Sequence, residues 1–142
     1  MKRTIFLSAL SICFSISCSS QKNINKNTET AISITDKEWI VVEIGNEKIE
    51  QLEADRFPKL TLSEGKISGF SSCNRMTGTY TLEKEKIIFG PIAVTKMFCF
   101  DTSDLETKYL KLLSEVTFWE YKHDKLHFLN ENKEIIIVFE GK

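Results

Sequence analysis

The sequence predicts a mainly β domain, all-β or α+β, in which about eight short antiparallel strands form a barrel-like or two-layer sheet with one packed α-helix. Three observations predict it. Apolar and polar residues alternate with period two in several short runs, as half-buried strands require. Turn residues punctuate those runs at short intervals, which favours tandem hairpins and a sheet that curls or splits into layers. A helical stripe stands out in one place, between residues 103 and 116.

The elements follow in order. Residues 38–44, Glu38-Trp39-Ile40-Val41-Val42-Glu43-Ile44, form a strand candidate that Gly45-Asn46 turns, and Lys48-Ile49 begins a short second strand. Pro58 punctuates the next connection. Leu60-Thr61-Leu62 and Lys66-Ile67-Ser68-Gly69-Phe70 alternate around the Glu64-Gly65 turn, which predicts a hairpin. Residues 76–82 place Met76, Gly78, Tyr80 and Leu82 on one face and three threonines on the other. Residues 86–89 follow a charged turn and stop at Gly90-Pro91. In the helix, Leu105, Tyr109, Leu112, Leu113 and Val116 share one stripe, and Ser103 with Glu106 reads as a capping box. Residues 117–122, 125–129 and 134–139 read as three closing strands. The last is apolar on both faces, so it is expected to be central, with the helix covering one side.

The N-terminus carries a different pattern. Lys2 and Arg3 precede an apolar stretch from Thr4 to Ile16, too short for a spanning helix of about 20 residues but suited to a signal-peptide core. Ser15-Ile16-Ser17-Cys18 then resembles a lipobox, with Ser15 where that pattern favours Leu. Cys13 competes less well because Ile12 precedes it, whereas a small residue, Ser17, precedes Cys18. The expected organisation is a lipoprotein signal peptide at 1–17, a lipidated Cys18 with a flexible polar tether over 18–33, and a domain over 34–142. A secretory signal cleaved near Ser17 or Ser20 without lipid is the alternative. Ser19, which is not Asp, favours an outer-membrane address by resemblance to the enteric sorting rule. The cell envelope, on its periplasmic or surface-facing side, is the expected location.

The net charge of -1 falls to -3 once Lys2 and Arg3 leave with the signal, and no basic patch stands out, which argues against nucleic acid as a partner. Cys73 and Cys99 remain in the mature chain, and an even pair in an exported protein suggests a disulfide. Their spacing is not that of a thioredoxin motif, and two distant thiols are too few for zinc. Neither His123 nor His127 lies in a serine-containing elbow. Asp101, Asp104 and Glu106 suit the positive end of the helix dipole. No Gly-rich phosphate loop or calcium loop is present in the sequence, so no catalytic function, metal or other cofactor is expected.

A joint motif is more specific. Gly69-Phe70-Ser71-Ser72-Cys73-Asn74, then Gly78 and Tyr80, then Ile87 to Pro91, then Thr95-Lys96-Met97 with Cys99, resembles the META domain of HslJ-like proteins. The resemblance covers about residues 36–140; Trp39 and Glu106 also fit, and Phe98 departs from the small residue common there. It implies a compact β-barrel-like fold with a helix, a disulfide between Cys73 and Cys99, and no established enzymatic activity. Read physically, Asn74 suits a turn with left-handed backbone. Gly69 and Gly78 suggest bulges or close backbone approach. Residues 90–99 are expected to pack back across the sheet, pinned to Cys73. Architecture is the simplest role for these residues, with binding by Asn74, Arg75, Thr95 or Lys96 as the alternative. Two partner classes besides the membrane are open: an envelope protein met by a non-catalytic accessory domain, with a role in envelope stress tolerance, or a small apolar ligand or lipid carried in the barrel. Phe57, Phe70, Phe89, Phe98, Phe100 and Trp119 supply aromatic surface for the second.

Overall fold

The computed structural model describes residues 33–142. The signal peptide, Cys18 and nearly all of the tether expected from the sequence lie outside the described residues. Ten strands and one helix follow along the described residues: β1 (Glu38–Ile44), β2 (Glu47–Lys48), β3 (Lys59–Ser63), β4 (Lys66–Phe70), β5 (Arg75–Glu83), β6 (Lys86–Phe89), β7 (Ala93–Val94), α1 (Ser103–Glu115), β8 (Phe118–Lys122), β9 (Lys125–Leu129) and β10 (Ile135–Gly141). All pairings are antiparallel. Eight strands run in the order β10-β9-β8-β6-β5-β4-β3-β1, and β1 pairs with β10 to close the ring. β2 adds to β1 and β7 adds to β5 outside that circuit. Of the two sheet forms open to the sequence, the closed barrel is the one adopted. Closure removes the edges that an open sheet of this size would expose.

Local sequence explains the hairpins. Gly45-Asn46, Glu64-Gly65 and His123-Asp124 each place two successive residues at positive φ, the backbone of a two-residue turn whose twist matches the flanking strands. Bulges between Val41 and Glu43 in β1 and between Ile135 and Ile137 in β10 bend the two strands that close the barrel.

The interior is filled by side chains. Trp39, Val41, Leu62, Ile67, Ile87, Leu126, Phe128, Ile137 and Phe139 have no exposed surface, so no water-sized void touches them. Phe128 meets Phe139 and Phe89 edge to face at 4.8 and 5.7 Å between ring centres. An eight-stranded barrel is just wide enough for its own side chains to fill or for one small ligand, and here side chains occupy it. Of the aromatic residues named for carriage, Phe98 and Phe100 point to solvent.

The two ends of the barrel differ. At the end where β1 begins, Ile34 is buried, its carbonyl accepts a 2.8 Å bond from Trp39 Nε1, and Asp36 N donates to Leu62 O. The end where β1 and β4 both finish carries α1, whose Lys108 reaches Glu47 beside the β1–β2 turn and whose Glu106 reaches the β4–β5 connection. Tyr109 and Leu113 anchor the helix in the core, and α1 lies against β10. The last strand is buried on both faces from Ile136 to Phe139, as its apolar run requires, although the helix sits toward one end of the barrel instead of over a sheet face. Burial holds the Tyr109 hydroxyl far above the usual phenol range. Among the described residues, no helix is long and apolar enough to cross a membrane.

Candidate functional site

The motif residues converge at the helix-bearing end. Asn74 begins no strand and is almost fully buried between β4 and β5. Its Nδ2 donates to Met97 O at 3.0 Å and to Glu106 Oε2 at 3.0 Å. Its Oδ1 accepts from Thr95 Oγ1 at 2.8 Å and from Met97 N at 2.7 Å. A neutral amide offers two donor hydrogens and two acceptor lone pairs, so the Asn74 side chain is saturated. It ties three separate segments together: its own loop, residues 95–97 and the first turn of α1. That saturation leaves none of its polar atoms for a ligand.

Glu106 is the second node. One carboxylate oxygen accepts from Asn74 N at 3.1 Å and from the Ser71 hydroxyl, and the other takes the Asn74 amide. The capping box expected from Ser103 and Glu106 is therefore not formed. Thr102 occupies the N-cap position without a side-chain cap bond, because its hydroxyl donates to Ser72 O at 3.2 Å and accepts from Arg56 Nη2 at 3.2 Å. The tertiary partners outcompete the local ones. Asp104 and Glu106 do lie in the first helical turn, where the dipole favours acids.

The left-handed residue of the β4–β5 connection is Ser72, at φ 86, and not Asn74 as the sequence suggested. A serine there is uncommon. Two bonds hold it: Ser72 Oγ donates to Arg56 O at 2.7 Å, and Ser72 O accepts from Thr102. Beside it, Cys73 and Cys99 form the disulfide, with Cα atoms 5.8 Å apart. Thr95 completes the pinning, since its N donates to Arg75 O at 3.0 Å and its hydroxyl accepts from Arg75 N at 3.1 Å. Residues 90–99 thus do pack back on β5, through the short strand β7.

Gly69 and Gly78 mark close approach, not bulges, because the β4–β5 register runs through both without a shift. A Cβ on Gly69 would stand 2.2 Å from Lys59 O, and one on Gly78 would stand 2.9 Å from Pro91 O. Tyr80 is buried opposite Phe89. Lys96 is exposed, and so is Met97 despite its place in the motif. Met97 holds its neighbours through its backbone, while its side chain, 61% exposed, joins Phe98 at 81% and Phe100 at 91% on the surface. From sequence, Phe98 and Phe100 stand out only by aromatic content and, for Phe98, by departure from the small residue common at that place.

An open surface groove of about 860 Å³ runs along β3, β4, β5 and β7, lined in part by Phe70, Arg75, Val94 and Thr95. It lies outside the barrel. Among the described residues, no three His, Cys, Asp or Glu side chains are grouped to hold a metal ion. His127, itself nearly buried, faces the exposed Glu120 at 3.4 Å across the β8–β9 pair, away from the motif.

The fold and this locked end define a small closed β-barrel domain. The chain belongs to the META-domain family, whose model matches residues 32–142. Three solved structures share the fold. An NMR structure of a protein from Burkholderia xenovorans is similar at 25% identity and a TM-score of 0.61, covering 77% of this chain and 83% of that one. A second NMR structure is similar at 18% identity and a TM-score of 0.58, covering 74% and 89%. The crystal structure of a DUF4847-family protein from Bacteroides vulgatus is similar at 15% identity and a TM-score of 0.56, covering 75% and 93%. No curated protein matches the chain.

Proposed function

We propose that the protein is a membrane-anchored envelope lipoprotein whose META domain is a non-catalytic binding or accessory module, acting with an envelope protein and contributing to envelope stress tolerance. The observation that carries this reading is the N-terminal pattern, in which Lys2 and Arg3, an apolar stretch and Ser17 lead to Cys18. A diacylglyceryl and N-acyl anchor on Cys18 would bury two or three chains at about 0.8 kcal/mol per methylene, which gives stable attachment. The Cys73–Cys99 bridge supports an oxidising compartment outside the cytoplasm. The saturated polar bonds of Asn74 support an architectural role for the motif, and the filled interior favours the accessory reading over carriage of an apolar ligand inside the barrel. An outer-membrane location follows from Ser19 in this reading.

The test is the intact mass of the protein isolated from membranes of its native host, alkylated without and then with reduction. The expected mass is that of the chain cleaved before Cys18 plus acyl groups, with two thiols alkylated only after reduction. An unprocessed mass with freely alkylated thiols would end the envelope assignment.

A further inference from the structure

The strand registers lay out the outer groove of about 860 Å³ row by row. Leu60, Gly69, Met76 and Val94 are successive cross-strand partners, and their backbone forms its floor. The row on one side is Lys59, Phe70 and Arg75. The row on the other side is Thr61, Ser68 and Thr77, followed by Ala93. Side chains alternate between the faces of a strand, so both rows point outward as walls while Leu60 and Met76 are buried beneath. The groove therefore crosses the strands. Four strands at a spacing of about 4.8 Å give it a length of about 14 Å.

The chemistry of the walls selects the occupant. The floor offers nothing to a peptide backbone, because Leu60, Gly69 and Met76 each pair with a strand on both sides and their amides already have ladder partners. What remains is a row of hydroxyls on one wall and an aromatic ring between two cations on the other. A hydroxyl both donates and accepts, so such a row suits a ligand that is itself rich in hydroxyls. Phe70 is partly exposed, and its ring offers an apolar surface to the C–H face of a sugar. Charge narrows the class. Lys59 is paired with Glu38 at 3.2 Å, whereas the Arg75 side chain has no ion pair among the described residues. Its planar fork suits one carboxylate. Asp55, also on the lining, opposes a polyanion such as a nucleic acid strand. The Arg75 wall is set in advance. Arg75 N donates to Thr95 Oγ1 at 3.1 Å, Thr95 N donates to Arg75 O at 3.0 Å, and Thr95 Oγ1 donates to Asn74 Oδ1 at 2.8 Å. The bonds of Asn74 thereby hold Arg75 and β7 at the groove, which lowers the cost of ordering them around a ligand.

We propose that this groove binds a short linear saccharide carrying a carboxylate. Its hydroxyls meet Thr61, Ser68 and Thr77, one ring lies against Phe70, and the carboxylate pairs with Arg75. The proposal deepens the reading of a binding domain and rests on it, but does not depend on the lipid. The groove is open and covers only one side of such a ligand, so the affinity expected is weak, with Kd about 1 mM.

The test uses the full chain carrying Cys18→Ser, which bears no lipid however its N-terminus is processed, labelled with 15N for NMR titration. The probes are two acidic disaccharides, N-acetylglucosaminyl-N-acetylmuramic acid and cellobiouronic acid. Their neutral counterparts, N,N′-diacetylchitobiose and cellobiose, differ chiefly in lacking the carboxylate. Amide shifts should cluster at residues 59–61, 68–70, 75–77 and 93–95, and the acidic sugars should bind about tenfold more tightly than the neutral ones. Arg75→Gln should bring the acidic sugars down to the affinity of their neutral counterparts. Ser68→Ala with Thr77→Val should weaken all the sugars alike, with an unchanged melting temperature showing that the barrel is intact. An absence of shifts in the groove with every sugar, or shifts centred elsewhere on the domain, would overturn the proposal. So would equal binding of acidic and neutral sugars that Arg75→Gln leaves unaltered. Tighter binding of tetra-alanine in the groove would also overturn it, by making the groove a peptide site. The mass measurement on Cys18 fails or succeeds separately from all of these, and an absence of sugar binding leaves the accessory reading untouched.

Discussion

The two ends of the barrel are closed by different chemistry. Where β1 begins, the closure is largely apolar: Ile34 is tucked against Trp39, and an indole-to-carbonyl bond and the Asp36 N to Leu62 O bond fix the chain. Where β1 ends, the closure is polar and covalent, built from Asn74, Glu106, Ser71, Thr95 and a disulfide. Apolar packing gives stability roughly in proportion to area but little directional control. Hydrogen bonds and a covalent bridge fix particular atoms at particular places. The first end serves the core, whereas the second holds a loop in a conformation that burial alone would not choose, with Met97, Phe98 and Phe100 outward.

That contrast can be broken most severely at the apolar end. Trp39→Ala removes the largest fully buried side chain and should destabilise the domain by about 3–5 kcal/mol in urea unfolding. At the other end, replacing Cys73 and Cys99 together by Ala opens a bridge across a sequence separation of 26 and should cost about 3.5 kcal/mol. Hydrogen exchange should then accelerate in residues 95–100 more than in β9 and β10. Equal acceleration throughout would show that the bridge supports the whole barrel. Asn74→Ala leaves Met97 N and the Glu106 carboxylate short of partners in a nearly buried place and should cost about 2–4 kcal/mol by the same unfolding measurement.

The weakest effect is expected at the exposed ion pair beside the β1–β2 turn. Lys108 bonds Glu47 and holds its carboxyl below the usual carboxylate range, by the hydrogen bond first and by charge second. A depressed folded-state pKa contributes stability above the unfolded pKa, and that contribution is lost as pH falls through the folded value. Lys108→Ala should return the Glu47 titration, followed by NMR, to the ordinary carboxylate range and remove this acid-side slope. Because the pair is exposed, overall stability at neutral pH should barely change.

Most strands were legible because their signals are local. The Glu64-Gly65 and His123-Asp124 turns announce hairpins by residue type, and period-two alternation in residues 76–82 matches the alternating burial of β5. The disulfide was legible from an even cysteine pair and from family resemblance. What stayed hidden depends on contacts distant in sequence. Ser103 and Glu106 satisfy a local capping rule, yet Glu106 faces Asn74, 32 residues away, so the tertiary bond displaced the local one. Asn74 has the residue type for a left-handed turn, yet Ser72 takes that backbone because Arg56 and Thr102 hold it. Barrel closure, too, is a pairing of the first and last long strands that no local pattern encodes.

That closure has a kinetic consequence. Trp39 pairs with Gly141 and Ile44 with Ile137, so the ring joins residues nearly a full domain apart. Contacts of such separation form slowly, because the intervening chain must be drawn together before they contribute. A chain that emerges N-terminus first can form the β3–β4 and β4–β5 hairpins early, and Cys73 can find Cys99 while the remainder is still arriving. β1 must wait with one edge unpaired until β10 appears, so a truncation of only the last several residues would leave the domain open and prone to pair with other chains.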